Sequence, residues 1–395
     1  MKNVLLVFGG KSYEHDISVV TAAQIFNRNT LENIKLVPLY VSRDNRFFVY
    51  KPDKMDIKDF SLANFKSNAK VFKEVVFVSG EKETLFAKTR FGLKEFLKTD
   101  LAVFACHGSA GENGKLVSFL ETYGIFSSAG NSLALAICMN KFIFKKQMKG
   151  IKVPVVKGFL IKKDLYLKDI ENYKYHLQFL KFPVILKSNN GGSSIGVFVV
   201  DKKEEFDTAL KSAFEFDNEV LVEQFIENAR EFNVAVIGND KEFIVSDIDE
   251  PLKAHEVLSF ADKYLSDSGK IKGSKTNSMA YQQRKLPADI PTKLEDEIKF
   301  IASKVFSLLS LQGVVRIDFL FDEQKNKVYV CEVNAIPGSL AYYFFKENMV
   351  RSNDLVDRLV RIAESSKQNA ENINDDFYPN ILDWFVTFCN EFFLC

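Results

Sequence analysis

The chain has no surplus of either charge. Its 395 residues include 53 lysines and arginines against 52 aspartates and glutamates, a formal net of +1. A general nucleic-acid binder needs a basic excess or stripe, and a neutral chain feels no long-range pull toward an anionic membrane. Both functions are therefore disfavoured. Nowhere do about 20 apolar residues run together, so no transmembrane helix is expected. The opening stretch Met1–Gly10 has too short an apolar run, and no small-residue cleavage site, for a signal peptide. It reads as a buried strand running into a glycine turn. Cysteine is sparse and unpatterned: Cys106, Cys138, Cys331, Cys389 and Cys395 make an odd set with no C-x-x-C pair. Reduced thiols in a cytoplasmic protein are the simpler expectation. There is no internal repeat and a single tryptophan, whereas phenylalanine is abundant with 38 copies; this is a bias of the core, not a functional signal.

The length suggests two or three domains at roughly 150 residues each. A hydrophobic fraction of 47% and a charged fraction of 27% are those of an ordinary soluble globular protein. Over the first 130 residues apolar runs alternate with helical patterns. Strands are predicted at 4–8, 35–41 and 101–105, shorter ones at 47–50 and 75–78, and a helix at 17–27; this argues for a parallel α/β unit. From about Asn131 the texture changes. One helix is predicted over 132–149, then a strand at 183–187, a short polar glycine loop and a strand at 195–200, which is a hairpin and not a crossover. Strands at 221–225, 232–237 and 243–247 continue in antiparallel style. Residues 250–285 are polar with little periodicity, and a loop that long in a compact domain is usually functional or disordered. A helix at 292–311, a hairpin of 314–321 with 328–333, a helix at 353–365 and an aromatic tail at 381–393 complete the chain.

Three phosphate-loop templates can be set aside. Gly10-Lys11-Ser12 imitates the end of a P-loop, but the upstream glycine position is Leu5. Gly191 to Gly196 nearly fits G-x-G-x-x-G, yet position 193 is serine and a strand follows. The same stretch contains G-x-S-x-G, but a nucleophile elbow needs a following helix and a later acid and histidine, and only His255 lies downstream. What survives is a small-residue hairpin loop directly after Lys187. There, backbone N–H groups and hydroxyls can approach phosphate oxygens while the lysine supplies charge.

A second constellation is stronger. Arg316 and Asp318 share one face of a strand, and Glu332 and Asn334 share a face of its partner. Together Asp318, Glu332 and Asn334 supply hard oxygen ligands of the kind that suit Mg²⁺, with water and nucleotide phosphates completing the shell. A third is the glycine turn of Gly9 and Gly10 with Glu14 beyond it. It sits where ligands bind α/β sheets, at the carboxyl ends of strands. Cys106-His107-Gly108 and Gly111-Glu112-Asn113-Gly114 are candidates to line the same crevice.

Taken in order, these motifs resemble the D-alanine–D-alanine ligase family of the ATP-grasp superfamily. The likeness covers roughly residues 1–366 and includes Met139-Asn140-Lys141, Glu223, Glu231-Phe232, Lys263-Tyr264-Leu265 and Pro337-Gly338. It implies a mixed α/β and α+β architecture, an ATP-grasp fold preceded by a Rossmann-like N-terminal domain. The expected divisions are 1–130 for substrate, 131–225 and 226–367 as the two ATP-grasp subdomains, and 368–395 as a tail. By resemblance, Lys141, Lys187, Ser194, Glu223, Glu231 and Lys263 would contact ATP. Asp318, Glu332 and Asn334 would hold two ions of Mg²⁺, or Mn²⁺ in their place. Glu14 would meet the amine of the first D-alanine, with Ser193 and Tyr264 completing a hydrogen-bonded set. Arg316 and the Gly338 backbone would stabilise the tetrahedral intermediate, and His107 and Tyr343 would touch substrate. The implied reaction passes through a D-alanyl phosphate and yields D-alanyl-D-alanine for peptidoglycan precursors, in a cytoplasmic homodimer. The chain departs from the family pattern at Asn113, where aspartate is usual, at Ser118, near a common glutamine, and at Tyr343-Phe344, where many members carry Ser-Leu. Other readings are a ligase for a different second amino or hydroxy acid, a catalytically silent nucleotide-binding relative, and a serine hydrolase.

Overall fold

The computed structural model describes residues 1–68, 70–166, 168–252, 284–345 and 352–373. Three sheets organise it. The first contains β1 (Lys2–Gly9), β2 (Ile34–Val41), β3 (Phe47–Tyr50), β4 (Phe72–Val76), β5 (Thr84–Thr89), β6 (Gly92–Lys98), β7 (Leu101–Phe104) and β8 (Phe126–Ser127). Their spatial order is β6-β5-β4-β3-β2-β1-β7-β8. The second contains β9 (Gly158–Lys162), β10 (Val184–Ser188), β11 (Phe198–Val200) and β12 (Glu219–Gln224), in the order β11-β10-β12-β9. The third contains β13 (Arg230–Gly238), β14 (Phe243–Pro251), β15 (Arg284–Lys285), β16 (Gly313–Asp322) and β17 (Lys327–Asn334), in the order β15-β14-β13-β16-β17.

The first sheet is mixed and not wholly parallel as its alternation suggested. Only β1 with β2 and β7, and β7 with β8, run parallel; from β2 outward to β6 every pairing is antiparallel. The β5–β6 hairpin escaped the sequence reading because β6 has no buried face: all but Leu97 of Gly92–Lys98 is exposed, which leaves no alternation to detect. The β10–β11 hairpin is present as expected, antiparallel around the glycine loop.

The helix predicted over 132–149 is two, Ser132–Met139 and Lys141–Gly150. Asn140 breaks it with extended dihedrals, and its side chain accepts the N–H of Ile143 as a cap. The N–H of Lys141 leaves the helix altogether and donates to the Asn189 carbonyl at 3.0 Å.

One hydrophobic core runs unbroken from the first sheet to the third, from Val4 and Phe104 to Phe306 and Phe344. The second sheet closes a separate core of its own around Leu186, Leu210 and Val222. That smaller unit overhangs the carboxyl ends of β1 and β7 and one face of the third sheet, and the space between holds the candidate site. Lys263, Tyr264 and the tail beyond residue 373 lie outside the described residues.

Candidate functional site

The floor of the site is a row of polar side chains across four strands. In register, Asp249 on β14 faces Asn233 on β13, Asn233 faces Asp318 on β16, and Asp318 faces Glu332 on β17. Residues directly opposite in a sheet project to one face, so the third sheet presents all four together. The Asn233 amide, in its satisfied orientation, donates to Asp318 Oδ1 at 3.0 Å. Arg316 grips the Asp318 carboxylate with two donors, at 2.7 and 2.8 Å, and Asn334 Nδ2 donates to Asp318 Oδ2 at 3.0 Å. Such two-pronged charged bonds fix orientation as well as charge. A bulge leaves Cys331 as the extra residue between Val330 and Glu332, so Cys331 and Glu332 both reach the cleft.

Above this floor lies a cleft of about 630 Å³, roofed by the loop from Gly191 to Ile195. Lysines line one wall. Lys187 Nζ stands 3.0 Å from Glu223 Oε2, and Lys145 Nζ stands 2.6 Å from the other carboxylate oxygen, Glu223 Oε1. Burial alone would push the Lys187 ammonium down, but Cys331, Glu223 and Glu332 outweigh it and hold its pKa above the usual value. Burial likewise opposes ionisation of Glu223, and the two lysines overcome it, so its pKa is lowered. Lys141 Nζ lies 3.3 Å from Glu332 Oε2 and also donates to the Gly191 carbonyl, which ties the floor to the roof.

The roof is anchored at its base by Asn189, which is fully buried. Its backbone N–H and side-chain amide both donate to Glu219, and its side-chain oxygen accepts the N–H of Phe142 at 2.9 Å. Ser193 and Ser194 then take left-handed φ of 55° and 57°, and the Ser193 hydroxyl donates to the Glu14 carboxylate. Glu14 itself stands on the turn after β1. The Gly9 φ of +93° and the Val41 carbonyl, 2.3 Å from where a Cβ would sit, exclude any larger residue there. Ser12 joins this turn to the loop after β7, accepting the Glu14 N–H at 3.1 Å while donating to the His107 carbonyl at 2.9 Å.

A smaller cavity adjoins the cleft, sharing Lys141, Gly191, Gly192 and Glu332, and is lined further by Glu14, Glu112 and Asn334. Glu112 is buried between two backbone donors: Gly108 N–H at 2.7 Å and Ile336 N–H at 2.9 Å. Burial first and the Glu14 charge second push its pKa up to about 8.

Glu14, Lys141, Lys187, Ser193, Ser194, Glu223, Glu231, Asp318 and Glu332 thus line one cleft or its adjoining cavity, joined there by Asn334. Four expected site residues lie outside both linings: Arg316, Gly338, His107 and Tyr343. His107 is buried, and its two ring nitrogens engage the Ile336 carbonyl at 2.6 Å and the Thr21 hydroxyl at 2.8 Å; it is absent from both linings. Tyr343 is covered by the Arg284 guanidinium, 4.6 Å from its ring centre, and Arg284 pairs with Asp249 at 3.2 Å. The turn bearing Gly338 continues through Ser339, Leu340 and Ala341 at φ 53°, 48° and 46°, a left-handed run costing about 1–2 kcal/mol per residue.

Lys145, Asn189, Asn233 and Asp249 were not anticipated. Lys145 had a signal, since it lies one helical turn from Lys141; the strand residues had none without the register. Among the described residues no three His, Cys, Asp or Glu side chains gather as a metal site. Two carboxylates and an amide oxygen could still hold a hard dication that keeps water and phosphate oxygens in its shell.

Matches to known proteins agree with this geometry. Residues 3–127 match the family model described as D-ala D-ala ligase N-terminus, and residues 147–361 the model described as D-ala D-ala ligase C-terminus. A D-alanine–D-alanine ligase of Thermosipho melanesiensis is 33% identical over 367 residues, covering 92% of this chain and 94% of its own. One from Campylobacter jejuni is 32% identical over 359 residues, covering 90% and 92%. The solved D-alanine–D-alanine ligase of Helicobacter pylori superposes with a TM-score of 0.67 at 27% identity, covering 91% of this chain and 98% of that one. The VanG D-Ala:D-Ser ligase of Enterococcus faecalis shares the fold with a TM-score of 0.75 at 24% identity over 92% of this chain and 99% of its own.

Proposed function

This chain belongs to the D-alanine–D-alanine ligase family, and from that premise we propose how its cleft joins two D-alanine molecules as ATP becomes ADP and phosphate. The observation that carries the reading is the continuity of the two cavities. Lys141 and Glu332, with the Gly191–Gly192 loop, line both the cleft of Lys187 and Asp318 and the pocket that holds Glu14.

Lys141 and Lys187 bind the phosphates, and the Gly191–Ser194 loop covers them with backbone N–H groups. Glu231 lies on the ribose side. Glu223 acts through Lys187 and not by touching adenine: buried between two ammonium groups, it fixes the lysine's direction. Asp318, Glu332 and Asn334 would hold Mg²⁺, which offsets charge on the transferring phosphoryl group. Glu14 receives the ammonium of the first D-alanine, and the carboxylate oxygen of that D-alanine attacks the γ-phosphorus. The P–O bond to ADP breaks and a D-alanyl phosphate forms. The amine of the second D-alanine then attacks the acyl carbon, losing a proton as phosphate leaves. By the family resemblance, Arg316 and the Gly338 backbone would stabilise the oxyanion of that step, where one lost donor typically costs about 3–4 kcal/mol. An acyl phosphate hydrolyses in open water, so the site needs a cover; the 250–285 segment with Lys263 and Tyr264 is assigned to it on sequence grounds. The domain division at about 130, 225 and 367 belongs to the same proposal. So do a cytoplasmic location, which the free thiols of Cys106, Cys138 and Cys331 fit, and a homodimer.

The test is product identification: ATP, Mg²⁺ and D-alanine should yield ADP, phosphate and D-alanyl-D-alanine in equal amounts. The cover of Arg284 over Tyr343, at a position where the family pattern has a small hydroxyl residue, motivates a second reading, a different second substrate. Offering D-alanine, D-serine and D-lactate in competition decides it, and preference for either of the latter would overturn the D-alanine assignment.

A further inference from the structure

The turn after β17 cannot hold itself. Ser339, Leu340 and Ala341 are consecutive L-residues in the left-handed region, at φ 53°, 48° and 46°, a conformation that non-glycine residues keep only when their surroundings impose it. Three side chains from the first sheet and its helix impose it here. Glu112 accepts the Ile336 N–H at 2.9 Å, His107 Nδ1 meets the Ile336 carbonyl at 2.6 Å, and the Thr21 hydroxyl accepts the Ser339 N–H at 3.0 Å.

The proton positions follow from the partners. A carbonyl oxygen only accepts, so His107 Nδ1 carries a hydrogen and donates it. The imidazole is held neutral by its burial, which pushes its pKa down, and Nε2 is then an acceptor. The hydroxyl of Thr21, 2.8 Å away, is the group that donates to it. Thr21 thus uses its oxygen in both senses, accepting from Ser339 and donating to His107. It stands on helix His15–Arg28, is fully buried, and lines neither the cleft nor the adjoining cavity.

We propose that Thr21 is a positioning residue: its hydroxyl, held between His107 Nε2 and the Ser339 N–H, fixes the turn on which the Gly338 backbone stands for the second step. The inference rests on the assignment of the Gly338 backbone to the second step of the reaction. It follows that loss of the hydroxyl should impair attack by the second amine while sparing the phosphoryl transfer that precedes it. The first step uses Lys141, Lys187 and Glu14, none of which is bonded to Thr21.

Full-length Thr21→Val removes the hydroxyl at nearly constant shape, and Thr21→Ser keeps it. Three readouts separate the steps: binding of a fluorescent ATP analogue, hydroxylamine capture of the acyl phosphate, and dipeptide formation. For T21V the dipeptide rate should fall about 10- to 100-fold, with nucleotide affinity and hydroxamate formation within about twofold; T21S should restore the dipeptide rate. Dipeptide formation at the wild-type rate in T21V overturns the proposal. So does a loss shared equally by all three readouts, which would mark Thr21 as structural only. Should T21V not fold, Thr21→Ala is judged by the same criteria, and failure of both to fold also counts as a structural role. If the wild-type chain itself makes no dipeptide, the reaction falls, and this role with it; loss confined to the variant leaves the reaction standing.

Discussion

Glu112 and Ile336 are 224 residues apart, yet the Ile336 N–H donates to Glu112 Oε1 at 2.9 Å, joining the loop after β7 to the turn after β17. The other oxygen takes the Gly108 N–H, so one buried carboxyl bridges the first sheet and the third.

That position makes stability depend on pH. Burial, then the Glu14 charge, raises the Glu112 pKa to about 8 in the folded chain from an ordinary value near 4.5. The folded state therefore holds a proton that the unfolded state has released. This contribution is fully present below the ordinary value and disappears as pH rises through about 8, with a slope of at most about 1.4 kcal/mol per pH unit. Urea unfolding of wild type and Glu112→Gln between pH 5 and 9 checks this. The variant should be weaker by about 1–3 kcal/mol at low pH, for its lost acceptor, and the gap should narrow as pH rises. Parallel curves would mean that Glu112 is ionised when folded.

The Lys145–Glu223–Lys187 triad predicts an asymmetry. Glu223→Gln takes from two buried ammonium groups the carboxylate they share, leaving Lys187 only the charge of Glu332, and breaking such a pair costs about 3–5 kcal/mol. Lys145→Met leaves Glu223 with Lys187, at 3.0 Å, and should cost clearly less. Thermal unfolding of both variants, with ATP-analogue affinity measured alongside, should rank Glu223→Gln as the more damaged in each. Equal effects would remove the neutralising role from Glu223.

Asp318 and Glu332 face each other across β16 and β17, and the proposed metal sits against both. Glu332→Gln keeps the shape and removes one charge. Several kcal/mol of metal stabilisation corresponds to a fall of about 10²–10⁴-fold in turnover, and raising Mg²⁺ should restore part of it. Removing the metal with EDTA from the wild type should stop turnover reversibly. Activity indifferent to EDTA would refute the metal assignment.

Gly108 keeps Glu14 in place by having no side chain. A Cβ there would stand 2.7 Å from Glu14 Oε2 and 3.2 Å from Ser12 Oγ, on a backbone at φ +69°. Gly108→Ala should therefore push the carboxylate aside. The expected result is a rise of about tenfold or more in the first D-alanine KM, since roughly 1.4 kcal/mol of a charge-assisted contact is at stake. ATP affinity should stay unchanged, and stability should drop by about 1 kcal/mol. Isothermal titration with each ligand separates the two effects, and an unchanged KM would detach Glu14 from the substrate ammonium.

Much of the site was legible in the sequence because it obeys local periods. Arg316 with Asp318, and Glu332 with Asn334, share faces by the two-residue repeat of a strand. The hairpin loop after Lys187 announced itself by its glycines and serines, and the ordered motifs pointed to the family and its mixed α/β architecture. The tertiary structure decided what depends on pairing between distant segments. Register alone placed Asn233 and Asp249 in line with Asp318 and Glu332. A single bulge turned Cys331 into the cleft, and packing made Lys145 the partner of Glu223. It also gave His107, expected to touch substrate, the Ile336 carbonyl and the Thr21 hydroxyl as the partners of its two ring nitrogens. A residue's chemistry and its local face are properties of its neighbours in sequence. Which partner satisfies it, and therefore whether it binds, orients or only supports, is set by contacts formed only when the chain has closed on itself.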